Sequence, residues 1–231
     1  AGFAANEYLS EKRGFGKGFD IYRHWTTTDA NTICEEAWKW LTRERHANYF
    51  LFLHFYDLHA PYEPSDDFLK MFASSYRGSI DGSVKTLFGI RRAEIAVSDE
   101  DIRHLMALYD GEIRQLDHRL GTFFSFLRQK RLLHNTILMI TSDHGEEFFD
   151  HGDLMHSRTL YDEILKVPLI ITGPGIPAGK RISSQVKLTD IAPTILDLCG
   201  VPIPANIQGE SVLPLLQDKS LESVQYAFAE A

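Results

Sequence analysis

Three short, almost purely apolar runs, Tyr49–Phe55 (YFLFLHF), Ile137–Thr141 (ILMIT) and Val167–Thr172 (VPLIIT), each lead into polar chain. Runs this short, with no alternation of polar and apolar positions, fit strands buried on both faces, the pattern of a sheet sandwiched between helices. The segments between them carry helical patterns. Asp29 is placed to cap a helix over roughly residues 30 to 45, with Ile33, Ala37, Trp40 and Leu41 on one face. Ser98-Asp99-Glu100-Asp101 resembles a capping box. It is followed by apolar residues at Ile102, Leu105, Met106, Tyr109, Ile113, Leu116, Leu120, Phe123 and Leu127, a stripe about seven turns long. Pro193 lies early in a helix that ends near Cys199, with Gly200 as its stop. Strands alternating with helices predict an α/β fold with an open sheet. The first thirty residues read as turn-rich around Gly14, Gly16 and Gly18, the stretch from Ser74 to Ser98 as a surface excursion, and Ala227-Phe228-Ala229 as the opening of a last strand.

Composition narrows the function. A formal charge of −8 excludes a general nucleic-acid binder, which needs a basic face, yet leaves room for a small anionic substrate held by a metal or a few cations. The two cysteines, Cys34 and Cys199, form no metal spacing and no disulfide framework, so both read as core thiols. No apolar run approaches the ~18 residues of a membrane span. The opening Ala1-Gly2-Phe3-Ala4-Ala5 lacks the regions of a signal peptide, and neither compartment nor oligomeric state is legible.

In open α/β sheets ligands gather beyond the carboxyl ends of strands. Two such ends carry chemistry here: Tyr56-Asp57-Leu58-His59-Ala60-Pro61 and Ser142-Asp143-His144-Gly145-Glu146-Glu147. Adjacent Asp143 and His144 can turn toward one ion, with Gly145 allowing a sharp bend behind them. Asp143 as a turn cap and His144 as a surface residue is the plain alternative. The stretch Phe149-Asp150-His151-Gly152-Asp153-Leu154-Met155-His156-Ser157-Arg158-Thr159-Leu160-Tyr161, dense in polar residues, favours a metal or anion site.

TILMITSDHGEEFFDHG, HSRTLYDEILKVPLIITGPG, VKLTDIAPTILDLCGVPIP with GESVLPLL, FLFLHFYDLHAPYEP and RGFGKGFDIY stand in the order found in sulfatases. Together they resemble the sulfatase family of the alkaline phosphatase superfamily over essentially the whole chain. The resemblance implies an α/β fold with a mixed central sheet flanked by helices, truncated at both ends. Residues 1–231 would be the middle and carboxy-terminal part of a single catalytic domain. It implies metal-dependent hydrolysis of a small-molecule or carbohydrate sulfate ester. Asp143 and His144 would be metal ligands, His59 a contact to the sulfate oxygens, and His156 a group at the leaving oxygen suited to general-acid work. His59 and His156 are thus the catalytic candidates. His151 joins them as a substrate-binding candidate, with a structural role equally open, while Asp57 reads as a loop-shaping residue.

The chain also departs from the family. The nucleophile, a formylglycine made in a C/S-x-P/A-x-R signature, is absent, because Cys34 precedes Glu-Glu-Ala-Trp and Cys199 precedes Gly-Val-Pro-Ile. Both that signature and the paired acidic ligands that open the family's domain are expected upstream of Ala1, so this chain alone is expected to be inactive and, expressed alone, to expose apolar surface. His144 stands where many sulfatases have Asn. Calcium is the family's metal, while an imidazole suits manganese or zinc. A phosphodiester or phosphonate ester hydrolase of the same superfamily, and a non-catalytic metal-binding module, are the competing expectations.

Overall fold

A computed structural model describes residues 1–43, 48–73, 75–217, 219 and 226–230. It resolves into two compact units, the first formed by Ala1–Arg131 with Phe148–Leu154 and the second by Leu132–Glu147 with Met155–Ala231.

The first unit is built on a parallel sheet of three strands: β1 (Gly2–Ala5) lies between β2 (Tyr22–Trp25) and β3 (Phe52–His54). β1 is buried along its whole length. The sequence reading missed β1 and β2, because four small or aromatic residues beside glycine-rich turns carry no periodicity. β1 is a strand because tertiary pairing makes it one. A Cβ on Gly2 would lie within 2.8 Å of the Tyr22 ring at its Cε2. β3 is shorter than the apolar run that announced it, and Phe50 and Phe52 stay 53% and 36% exposed, so that run is not buried on both faces here.

Helix α1 (Ala30–Arg43) starts where Asp29 accepts the Thr32 amide at 3.0 Å. The last two residues of the expected helix, Glu44 and Arg45, lie outside the described residues. Asp57, on the loop after β3, accepts the Ala30 amide at 2.9 Å and so pins α1 to that loop, the loop-shaping role expected of it. Short α2 (Asp66–Phe72) follows. The stretch expected to be a surface excursion contains a helix instead, α3 (Val84–Arg91), capped by Ser83 and burying Leu87 and Ile90. One turn of apolar side chains is too short for periodicity to register.

The long helix α4 (Asp99–Gln129) opens with the expected capping box of Ser98 and Asp101. Its buried face shares Leu105, Phe123 and Leu127 with the expected stripe and departs from it in the middle. Leu105, Leu108, Glu112, Phe123, Phe126 and Leu127 are buried, whereas Met106 and Ile113 are 44% and 42% exposed. A charged residue in the middle of the true face misdirected the pattern. Trp38 of α1 stacks on Phe126 of α4 at 4.4 Å.

In the second unit β4 (Leu138–Thr141) pairs antiparallel with β7 (Leu169–Thr172). Between them in sequence come a hairpin of β5 (Glu147–Phe148) and β6 (Leu154–Met155), of which Phe148–Leu154 is counted with the first unit, and the single turn α5 (Asp162–Leu165). Helix α6 (Ile191–Leu198) ends as expected, with Gly200 at φ +66°. Buried Asp190 ties its start to the later chain, accepting the Lys187 amide at 2.8 Å and the Glu210 amide at 2.9 Å. Thr194 donates to the Asp190 carbonyl and accepts the Val212 amide, which seats α7 (Leu213–Leu216). Ala227–Ala229 form no strand, and Phe228 is 93% exposed.

Two buried carboxyls of the first unit bear on stability. Burial pushes Glu112 up to about 8, with the charges of Asp57 and Glu63 adding to it, and burial also raises Asp57. In the unfolded chain carboxyls titrate near ~4.3. At these two positions the folded protein therefore holds protons that the unfolded chain has shed, so their contribution to stability is fully present below about pH 4 and is lost as pH rises toward 8. Glu112→Gln is expected to flatten the fall in unfolding free energy between about pH 5 and pH 8 by up to about 1.4 kcal/mol per pH unit. Urea titrations across that range check it, and an unchanged slope contradicts it.

Candidate active site

Strand β4 delivers its chain into Ser142-Asp143-His144-Gly145-Glu146, and the local geometry there is set by backbone contacts. The Gly145 amide donates to the Ile164 carbonyl at 2.8 Å. A Cβ at Gly145 would overlap the Glu163 carbonyl oxygen, so no other residue allows two backbones to meet this closely. The glycine serves close approach, where the sequence suggested a bend. The Ser142 hydroxyl closes the turn by donating to the His144 carbonyl at 2.6 Å.

His144 Nδ1 lies 2.8 Å from the Gly145 carbonyl, an acceptor, so Nδ1 carries the proton and Nε2 is the nitrogen left for a ligand. That Nε2 lies 3.8 Å from Asp143 Oδ1. Asp143 is 74% exposed and His144 37%, so this edge faces outward. One carboxylate oxygen and one neutral imidazole nitrogen, side by side at a strand's carboxyl end, are donors of the type that hold a divalent cation. A backbone bond from the other ring nitrogen is the usual outer-sphere support for such a ligand.

His156 stands against this pair. Its ring centroid is 4.0 Å from that of His144, at an interplanar angle of 33°. Its Nδ1 donates to Glu146 Oε1 at 3.0 Å, and the Glu146 side chain is only 4% exposed. A carboxylate on Nδ1 fixes the tautomer and turns Nε2 into the position for proton exchange. His156 sits between two non-glycine residues with left-handed backbone, Met155 at φ +71° and Ser157 at φ +79°. For a side chain as long as methionine this conformation is strained, and such outliers cluster at functional sites. The neighbouring Glu147, buried, accepts the Thr159 hydroxyl at 2.7 Å and anchors the chain after His156.

The second unit thus assembles Asp143, His144 and His156, three residues singled out by sequence, and adds Glu146, to which the sequence assigns no role. No spacing rule links Glu146 to His156, ten residues away across a hairpin. His59 and His151 belong to the first unit. The His59 ring stacks on Tyr56 at 4.3 Å and its Nδ1 meets the Ala60 carbonyl at 3.1 Å. His151 is exposed in the turn between β5 and β6.

The Sulfatase family model matches residues 4–201, running through both units. The chain belongs to the sulfatase family. Arylsulfatase K of Canis lupus familiaris is 40% identical over 116 residues, 50% of this chain and 22% of that protein. The match therefore spans about a fifth of the length of that curated relative, at 22%. Among solved structures, phosphonate monoester hydrolase SpPMH from Silicibacter pomeroyi superposes with a TM-score of 0.68 at 23% identity, over 86% of this chain and 43% of that one. A protein solved in complex with its substrate D-glucosamine-2-N,6-O-disulfate gives a TM-score of 0.68 at 21% identity, over 83% and 52%. These likenesses establish the alkaline-phosphatase/sulfatase type of α/β fold. No described helix is long and apolar enough to cross a membrane.

Because the Gly145 contact leaves no room for a methyl, Gly145→Ala is expected to force the strand end off the 163–164 backbone. A loss of about 1–3 kcal/mol is expected, read as a lowered unfolding midpoint in urea. An unchanged midpoint would show that the contact yields freely.

Proposed function

We propose that the protein is a metal-dependent hydrolase of sulfate esters, with its substrate a small-molecule or carbohydrate sulfate. The observation that carries this reading is the grouping of Asp143, His144 and Glu146-bound His156 at one strand end of a sulfatase-family chain. In this reading both units belong to one catalytic domain, as the continuous family match across them supports. Asp143 and His144 hold one divalent ion, which polarises the ester oxygens when bound. Calcium is the family expectation and the leading candidate, and the imidazole of His144 admits manganese or zinc as alternatives. His156, oriented by Glu146, gives a proton to the leaving oxygen. His59 contacts the sulfate oxygens, and His151 lies among the substrate-binding candidates.

Neither cysteine of the chain suits the nucleophile's part. Cys34 is buried and its thiol is pushed up to about 12 by burial and by the charges of Asp57 and Asp29, which makes it inert. Cys199, exposed rather than the core thiol expected of it, follows α6 in Leu-Cys-Gly-Val-Pro, away from any C/S-x-P/A-x-R pattern. We therefore expect the 231 residues alone to be inactive, since losing a concerted nucleophile costs on the order of a millionfold. A phosphodiester or phosphonate ester hydrolase is the second reading, favoured by His144 at the metal position.

The complete gene product should release sulfate from an aryl sulfate, lose that activity on chelation and regain it with added calcium, manganese or zinc. Faster turnover of a phosphonate monoester than of its sulfate counterpart would transfer the assignment to the second reading. Asp143→Asn should weaken metal retention about 10–100-fold, measured by metal analysis after dialysis. His156→Gln should lower kcat about 10²–10⁴-fold for esters with poor leaving groups. It should cost much less for a nitrophenyl ester, whose leaving group needs no proton. An equal loss for both ester types argues against general-acid work by His156.

A further inference from the structure

The loop that carries His59 is splinted by α4, residue by residue. Tyr62 sets its ring edge-on to Tyr109, with centroids 5.6 Å apart at 76°. The Glu63 amide donates to Glu112 Oε1 at 2.8 Å. Pro64 packs on bare backbone, since a Cβ at Gly111 would come within 2.8 Å of its Cγ. The Ser65 amide donates to Gln115 Oε1 at 3.0 Å. Four consecutive loop residues thus meet positions 109, 112, 111 and 115, which occupy one face of the helix. On its other side the same loop is fixed by Asp57 on the Ala30 amide and by the Tyr62 amide on the Gly82 carbonyl.

Glu112 is an unusual choice for this face. It is 6% exposed, and its second oxygen, Oε2, is buried without a hydrogen-bond partner among the described residues. A leucine there would continue the buried stripe of Leu105 and Leu108, whereas a carboxyl with one oxygen unmet is destabilising. Packing alone gives no reason for it. The acceptor it supplies to the Glu63 backbone does.

We infer that Glu112, with Gln115, is a positioning residue that fixes the backbone at Glu63 and Ser65 and thereby sets where His59 can reach. This rests on reading His59 as a contact to the sulfate oxygens. Neither residue touches substrate in this account. Glu112 acts as a backbone acceptor, so an amide in its place should serve as well as the carboxyl, and a side chain without an acceptor should not. A loop displaced by about 1 Å costs on the order of 10²-fold in a positioned reaction. The loss should appear in kcat more than in KM, because the reacting geometry suffers while remote contacts persist.

The test compares Glu112→Leu, Glu112→Gln and Gln115→Leu in the complete gene product, by sulfate-ester kinetics and by amide hydrogen exchange over residues 59–65. Glu112→Leu should lower kcat about 10–100-fold and speed exchange at Glu63, with an unfolding midpoint no lower than the parent's. Glu112→Gln should keep kcat within about threefold of the parent, as rescue by a retained acceptor. A merely structural role would instead lower the midpoint of Glu112→Leu and leave kcat per folded molecule unchanged, which overturns the inference. Equal losses for Leu and Gln overturn it too. If Glu112→Leu does not fold, Gln115→Leu, whose effect should be parallel and weaker at Ser65, decides in its place. If no sulfate ester is turned over, the function proposed above fails by itself. Exchange at Glu63 and Ser65 then still tests the splint, and unchanged rates in the variants overturn it.

Discussion

At the end of β4 one backbone passes so close to another that only glycine fits between them. The Gly145 amide reaches the Ile164 carbonyl, and a methyl at Gly145 would collide with the Glu163 carbonyl. That contact fixes both ends of the chain running from Glu146 to Glu163. With its ends tied, the return path of this segment brings His156 back to His144. The Glu146 carboxylate then locks the ring, and the left-handed residues on either side of His156 absorb the resulting turn. The strain at Met155 persists because hydrogen bonds on both sides over-determine the loop.

The first unit uses buried carboxyls in a comparable way, as backbone acceptors. Asp57 pins the start of α1 and Glu112 holds the loop after β3, and each keeps one oxygen buried without a hydrogen-bond partner among the described residues. Their burial raises both groups, so that near neutral pH Glu112 is largely a neutral acceptor, at about 8. A neutral carboxyl still accepts an amide proton, and it avoids the desolvation of a charge. The same choice links stability to pH, since deprotonation places charge where water cannot reach it.

Much of this was legible in the chain itself. The Asp29 cap, the Ser98 capping box, the stop at Gly200 and the strands at 138–141 and 169–172 all follow from local rules. Asp143, His144 and His156 could be named from residue type and order. β1 and β2 could not, because GFAA and YRHW have no periodicity of their own and become strands by pairing with one another and with β3. The buried face of α4 was read correctly at Leu105, Phe123 and Leu127 and missed in its middle, since Glu112 looks like a surface residue until its amide partner is known. The helix at Val84–Arg91 escaped notice for want of length.

By itself, then, the sequence determined the family and the α/β class and offered residues whose chemistry suits metal binding or proton transfer, because those depend on side-chain chemistry and on spacing along the chain. Only the tertiary structure decided that Glu146 orients His156, that Glu112 and Gln115 hold the His59 loop, and that Gly145 is there for closeness rather than for a turn. Each of these joins residues 10 to 50 positions apart through a single hydrogen bond or van der Waals contact. No periodicity or local propensity encodes such a pairing, which exists only once the backbone has closed.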